Sequence, residues 1–563
     1  METPWNVFHR VWAAWMAMQV EFHGRYSVER LCRLNNYVQT ASLCRVMSVA
    51  VLSPLPCLIL AIMVEAVPLT APEAGVRANW VFLIRFGFVA GLMVGSMVFQ
   101  MGQNVPALIV KTRHIVTIAV LSAGASVVTL YAVASATVFP VPFTMLLASP
   151  PSIVVYGVCF AIFWGAQFKA NSSIQKEMEQ QTAVLNCQIS LTLIYPMYIF
   201  GFTSFTGVYQ TIFVVVLPII KLIAKNWVSR ALASHNDCKP EAVIFNVDVF
   251  NALYIANALQ VASTQASTVT IMVVDLLHFW VSMFDVVEVL SKVKVLMAKI
   301  PEGHPIGREN FLQIAMRLLD HETQQMSKIS ASHPTRKSRL ESWVNTNAKN
   351  NVSRLSEHED DETNEKASQT RKPSLGTRVL PVVPVQNQQP VRLSTGTETQ
   401  SKLDQSSCIE LPEVFSKKER ALFIRQSARV LFITEYLVLM EYIEVVLPLL
   451  YCAHHMIVYY LHNRAYYPPL ASLSSSELNS TISRVLIYSS LEFASLVMAM
   501  FLLKRNLGFL PTGQLSFVLE NQAGIIQGKL LILFIYVMQI SLVHIGADFS
   551  FKFAWLHDSK PNN

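Results

Sequence analysis

Runs of about twenty apolar residues recur along this chain, and no other feature limits its fold so tightly, because a helix of about that length crosses roughly 30 Å of hydrocarbon. In order they fall at 47–67, 80–99, 115–139, 153–168, 189–205 and 208–224. After a long polar interval they resume at 431–458, 485–503 and 530–546. None alternates polar with apolar residues as the strands of a barrel would, so helix is the expected state of each. Composition agrees: 52% of the 563 residues are hydrophobic, only 14% are charged, and the mean hydropathy is +0.39. A soluble domain would carry about 25% charge. The expected fold is an all-α, polytopic helical membrane protein with about nine transmembrane helices and a long disordered cytoplasmic loop.

One segment leaves the count open. Residues 245–290 are apolar enough to enter a membrane yet carry Asn251, Asn257, Gln260, Gln265, Asp275, His278, Asp285 and Glu288. Two short spans or none are compatible with it, giving eleven or nine in all. Elsewhere Pro140, Pro142, Pro150 and Pro151 are expected to divide the uncharged stretch between Arg113 and Lys169, and residues 203–207 to divide the next.

Basic residues set the orientation. Arg30, Arg33, Arg45, Lys111, Arg113, Lys169, Lys176, Lys221, Lys225, Arg230, Lys504, Arg505 and Lys529 fall at one side of the predicted spans, which places that side, the N-terminus and the long loop in the cytoplasm and the C-terminus outside. The expected organisation is a cytoplasmic segment 1–45, a six-span block 46–230, the polar-striped segment 245–290, a cytoplasmic loop 291–428, a three-span block 429–546 and an extracytoplasmic tail 547–563. Which membrane holds the protein is not encoded. Asn479, followed by Ser480 and Thr481, is a glycosylation acceptor on the outer side, whereas Asn171 and Asn351 fall inside. Trp5, Phe8, Trp12, Trp15 and Phe22 recur at helical spacing, suiting a helix in the headgroup region or one packed on the protein's own inner face.

The net charge of +7 concentrates between Lys292 and Arg429, where it suits a retained cytoplasmic loop better than a nucleic-acid surface. Within that loop, residues 325–411 are too polar to offset the entropy of ordering and are expected to be disordered. Before them Phe311, Ile314, Ala315 and Leu318 suggest one amphipathic helix. Arg378, Leu380, Pro381 and Pro384 form a short proline-rich pattern of the SH3-ligand type, and Ser356 and Ser374 suit phosphorylation by acid-directed and base-directed kinases. A cytosolic partner at the loop is compatible with these marks, as is a plain solvated linker.

No catalytic signature appears, so neither an enzyme nor a cofactor is expected. The eight cysteines form no Cys-x-x-Cys pair, no HExxH or GxSxG occurs, and residues 524–530 lack the spacing and the Ser or Thr of a phosphate-binding loop. No metal site is expected either.

What remains are ionisable residues inside spans, where a charge costs about 2.5 to 3.5 kcal/mol even on gentle insertion scales. Glu441, Glu444 and His455 share one helical face with Pro448, Tyr451 and Tyr459. With Glu492 in the next span, and with Asp275 and Asp285 from a second stripe through Asn257, Gln260, Thr264, Ser267, His278 and Ser282, they make a candidate polar path. The second stripe requires a continuous helix. Interhelical hydrogen bonding explains the same residues without a path. Glu65 and Arg85 sit at comparable depth near the outer side and form a candidate structural ion pair. Gly87, Gly91 and Gly95 give overlapping G-x-x-x-G units on which a helix of the same chain, or of a second copy in a homo-oligomer, packs closely.

The segments YSVERLCRLNNYVQTASLCRV from Tyr26, SPLP from Ser53, VEAVPL from Val64 with RANW and Arg85, FNVDVFNALY from Phe245 and GADFSFKFAWL from Gly546 resemble a large family of multi-pass membrane proteins of oomycetes. That family carries no assigned activity, so the resemblance implies a membrane protein in which Glu65 and Arg85 belong to a shared motif, and nothing about a substrate. Two functions follow from the residues: a transporter or channel with a glutamate- and histidine-lined path, or a non-transporting scaffold or receptor whose loop recruits partners.

Overall fold

A computed structural model gives the fold of residues 19–22, 24–233, 236–262, 265–301, 309–329, 414–508, 510–553 and 555. Among the described residues there is no strand. The helices are α1 (Val28–Thr40), α2 (Leu43–Leu52), α3 (Leu55–Glu65), α4 (Trp80–Asn104), α5 (Thr112–Ala136), α6 (Thr144–Ala170), α7 (Ser172–Ser204), α8 (Val208–Phe213), α9 (Val216–Ala231), α10 (Lys239–Val261), α11 (Gln265–Met297), α12 (Phe311–Ile329), α13 (Lys417–Tyr459), α14 (Ser475–Leu507), α15 (Pro511–Asn521) and α16 (Ala523–Gln539). Local sequence explains their starts. Ser27 and Ser42 cap α1 and α2, and Ser416 with Glu419, like Ser474 with Glu477, closes a capping box at the head of α13 and α14.

Among the described residues nine stretches are long and apolar enough to cross a membrane, namely α2 with α3, α4, α5, α6, α7, α8 with α9, α10 with the turn before it, α11 and α14. The bent pair α15 and α16, which meet at 79°, makes a tenth if it acts as one span. The chain is a polytopic helical membrane protein. The segment 245–290 contributes two of the nine, α10 and α11, and its interruption at Ala262 removes the continuous helix on which the second polar stripe depended.

Two other expectations are corrected. Pro150 and Pro151 lie inside α6, and the turn falls at Pro140–Pro142 alone. The hydroxyls of Ser126 and Ser122 on α5 donate to the carbonyls of Ala148 (3.1 Å) and Ser152 (3.5 Å), which bonds the backbone around the proline pair from a neighbouring helix. The run 530–546 is not one helix either. α16 begins at Ala523 and stops at Gln539, and the chain then turns through Gly546 at φ +61, where an added Cβ would lie 2.3 Å from the Val141 carbonyl oxygen. Gly546 instead accepts a 2.9 Å hydrogen bond from the Phe143 amide, tying the C-terminal end to the α5–α6 turn.

α13 spans 43 residues, about 64 Å of helix, and between Val430 and Pro448 every residue except Val446 is buried. It packs against α10, α14, α11, α12, α15 and α3. α10 is as deep, with 89% of its apolar window inside the protein. α4, α5 and α6 form a flank with a small apolar core of its own around Val98, Ile118 and Trp164. Their outer faces carry exposed Val120, Val128, Val158 and Ile162, the pattern of helices that meet lipid. α12 buries Phe311, Ile314, Ala315 and Leu318 against α13 and α1, the amphipathic helix expected from the spacing. Phe22 is buried beside α13 and α9, while Trp5, Phe8, Trp12 and Trp15 lie outside the described residues.

Candidate functional site

α9 brings Lys221 and Lys225, one turn apart, onto a face it shares with Leu217, Ala224 and Val228, while Ile219, Ile223 and Trp227 face outward. Both ammonium groups are buried between α9, α10 and α13. Lys221 Nζ lies 2.6 Å from Glu444 Oε1 and 3.2 Å from Asp248 Oδ1; Lys225 Nζ lies 3.2 Å from the same Asp248 oxygen, 3.6 Å from Glu21 and over the ring of Tyr436. Asp248 on α10 is fully buried and sits between the two lysines. An ion pair at this depth is a weak source of stability, because desolvating two charges costs about what their attraction returns. Deleting one partner, by contrast, strands a charge at a cost of about 3–5 kcal/mol.

A layer of carboxyl groups adjoins this pair. On α13 Glu441 and Glu444, and on α14 Glu492, each bring an oxygen within 4.8 Å of the other two. One turn before Glu492, the Tyr488 hydroxyl donates to Asp275 on α11 at 2.5 Å. Beside them lies a cavity of about 190 Å³ between α9, α10 and α11, bordered by Lys221, Lys225, Asn251, Asp275, His278 and Glu21. Apart from Gln19 its remaining wall is apolar, and Val215 and Ile219 at its rim are half exposed on the outer face of the bundle. A charged floor with apolar sides can hold a polar group whose hydration shell has been partly replaced by side chains.

Two further polar networks lie at the ends of the bundle and tie helices together, although Glu65 Oε2, Arg85 Nη1, Arg30 Nε and Glu241 Oε2 meet no hydrogen-bond partner among the described residues. At one end Glu65 receives Arg85 (2.5 Å), Tyr467 (2.6 Å) and Gln539, and Asn463 clasps the carbonyls of Glu65 and Val67 at 2.7 Å. At the end that bears α1 and α12, Arg30 joins Glu241 (2.5 Å) and Glu435 (2.7 Å), and Tyr26 donates to Glu435. Lys529 on α16 donates to Asn246 of α10 at 2.7 Å.

Of the residues marked from the sequence, Glu441, Glu444, Glu492 and Asp275 come together at one level, and Glu65 pairs with Arg85. His455 does not join the four. It lies eleven residues beyond Glu444, about 16 Å along the helix, with its ring stacked on Tyr451 at 3.9 Å and its Nδ1 against the Tyr451 carbonyl. The histidine at the cavity is His278. The side chain of Asp285 lies outside the described residues, as do Asn351, Arg378, Leu380, Pro381 and Pro384. Gly87, Gly91 and Gly95 face Val127, Ala123 and Ala119 of α5, so their partner is a helix of the same chain. Asn479 is exposed in the first turn of α14.

Sequence reasoning missed Lys221, Lys225 and Asp248. The lysines read as residues that flank a span, although Lys221 falls inside the predicted run 208–224, and the rule that marked Glu444 applies equally to it. Asp248 had its own signal, an acid within an apolar helix. Comparison with protein-family models, with curated proteins and with solved structures gives no match.

Proposed function

We propose that this multi-pass membrane protein is a transporter whose polar path runs through the ionic cluster of Lys221, Asp248, Glu444, Glu441, Glu492 and Asp275. The observation that carries this reading is the cavity of about 190 Å³ set directly against the buried charges of Lys221 and Lys225 and against Asp275, with Val215 and Ile219 at its rim. Charges used only to fasten helices gain nothing from a hollow beside them, whereas a path needs room for its cargo next to groups that replace water. No covalent step is required of the protein in this reading. The end bearing α1 and α12 faces the cytoplasm, in keeping with its lysines and arginines.

Water access tests it. A single cysteine at Val274, in a background freed of the native cysteines, is treated with a polar impermeant thiol reagent from each side of the membrane. Labelling from at least one side, together with loss of solute flux across proteoliposomes in Glu444→Gln, is the expected result. A folded protein whose Cys at this site resists the reagent from both sides, or whose flux survives Glu444→Gln, overturns the reading and leaves the cluster as packing.

A further inference from the structure

Among the described residues, two of the three glutamates, Glu441 and Glu492, differ from the other buried acids in having neither a hydrogen bond nor an ion pair. Glu65 has an arginine, a tyrosine and an amide; Glu435 has an arginine and a tyrosine; Asp275 has the Tyr488 hydroxyl. Glu444 has Lys221. Glu441 is 1% exposed, and its Oε2 meets no hydrogen-bond donor among the described residues, although a carboxyl oxygen of the same residue lies within 4.8 Å of oxygens of Glu444 and Glu492. Glu441 and Glu444 are also three apart on one helix, where like charges repel unless something positive lies between them.

We propose that Glu441, Glu444 and Glu492 form a binding site for one hard divalent cation of the calcium, magnesium and manganese class. Oxygen atoms gathered within 4.8 Å match the separation of ligands that surround one ion at 2.0 to 2.6 Å. All three donors are carboxylate oxygens, with no sulfur or imidazole among them, which favours such a cation over zinc or copper. Charge points the same way. Lys221 and Lys225 are shared with Asp248 and Glu21, so less than one full positive charge is left for the trio, and a divalent ion offsets most of the remainder. The cavity lies on the side of Lys221 and Asp275, where a cargo could complete the ion's coordination or compete with it. The site adjoins the cavity of the transport reading without resting on it.

The test is a titration of the full chain in phosphatidylcholine nanodiscs, stripped with chelator, in which free Mn²⁺ is followed by electron paramagnetic resonance and Ca²⁺ and Mg²⁺ compete. One Mn²⁺ bound per chain is expected, with affinity falling at least tenfold in Glu441→Gln and in Glu492→Gln and unchanged in Glu288→Gln, an exposed acid on α11. If one variant fails to fold, the other and the parent protein decide the question. A parent protein that binds no Mn²⁺, or folded Glu441→Gln and Glu492→Gln proteins that bind it as tightly as the parent, overturns the site. Mn²⁺ binding without flux leaves this site standing and removes the transport reading; flux without Mn²⁺ binding does the reverse.

Discussion

The flank formed by α4, α5 and α6 and the centre formed by α9, α10 and α13 are both built of apolar helices, yet their side chains are placed under opposite rules. From Ile115 to Phe168, across α5 and α6, the chain carries no charged residue, and the polar groups buried there are Ser122, Ser126, Thr144 and Ser152; α4 buries Arg85, but against Glu65, Tyr467 and Gln539 outside the flank. Its outer side chains are exposed and apolar, and its inner contacts combine the core around Val98, Ile118 and Trp164 with glycines of α4 set against alanines and Val127 of α5. The centre holds Lys221, Lys225, Asp248, Glu441 and Glu444 within a few turns. A helix that faces lipid cannot satisfy a charge, because hydrocarbon offers no partner. A helix enclosed by protein can, provided each charge is placed against its complement. Ionisable residues in this chain therefore report which faces are enclosed: α9 turns Lys221 and Lys225 inward while Ile219, Ile223 and Trp227 stay exposed, and α10, the most enclosed of the nine apolar stretches, carries Asp248 near its middle.

Breaking the central rule should have the largest effect. Asp248→Ala leaves Lys221 and Lys225 with only Glu444 and Glu21, and a loss of about 3–5 kcal/mol is expected, visible as a large drop in the thermal midpoint of the purified protein or as failure to accumulate. Adding Lys225→Met to Asp248→Ala leaves Lys221 paired with Glu444 and removes the second stranded ammonium group, and should restore part of that stability. If it does not, the pairs are doing more than cancelling one another's charge. The flank responds to shape. Gly91→Leu forces a side chain against Ala123 Cβ and the Ala119 carbonyl, 3.3 and 3.4 Å from where its Cβ would sit, and should cost about 1–3 kcal/mol in the same measurement.

Smaller still is Ser126→Ala, which removes a hydrogen bond to the Ala148 carbonyl beside the proline pair of α6. Single interhelical hydrogen bonds in membranes average about 0.6 kcal/mol, and an effect of that order is expected from denaturant unfolding. The smallest effect lies outside the membrane-spanning segments. Lys299, by hydrogen bonding to Glu419 at the head of α13, together with the Ser416 amide, holds that carboxyl down at about 2 against an ordinary 4.5. Because the folded value lies below the unfolded one, its contribution is fully present above about pH 4.5 and is lost as pH falls toward 2. Glu419→Gln should flatten the pH dependence of stability in that window by a small amount, since the pair is half open to water. A flank variant such as Ser126→Ala should leave that dependence unchanged.

Much of the fold was legible because it rests on local rules. The turn at residues 203–207, the amphipathic face of α12 and the pairing of Glu65 with Arg85 follow from helical periodicity, residue size and the cost of charge in hydrocarbon. The proline pair at Pro150 and Pro151 misled because α5 packs along α6 and bonds the same stretch of backbone through Ser122 and Ser126, a neighbour that the residues of α6 alone do not reveal. The candidate site was half legible. Glu441, Glu444 and Glu492 stood out, while Lys221 looked like a flanking residue because its partners lie on other helices, Asp248 on α10 and Glu444 more than two hundred positions away on α13.

The sequence by itself determined that the chain is a bundle of apolar helices in a membrane, since run length and composition answer directly to the thickness and polarity of the solvent. Only the tertiary structure decided which helices are enclosed, that His278 and not His455 reaches the cavity, and that one aspartate holds two lysines. Hydrophobicity acts on each residue separately and can be read along the chain. An ion pair is a property of two residues at a distance of about 3 Å, and that distance exists only after α9, α10 and α13 have packed.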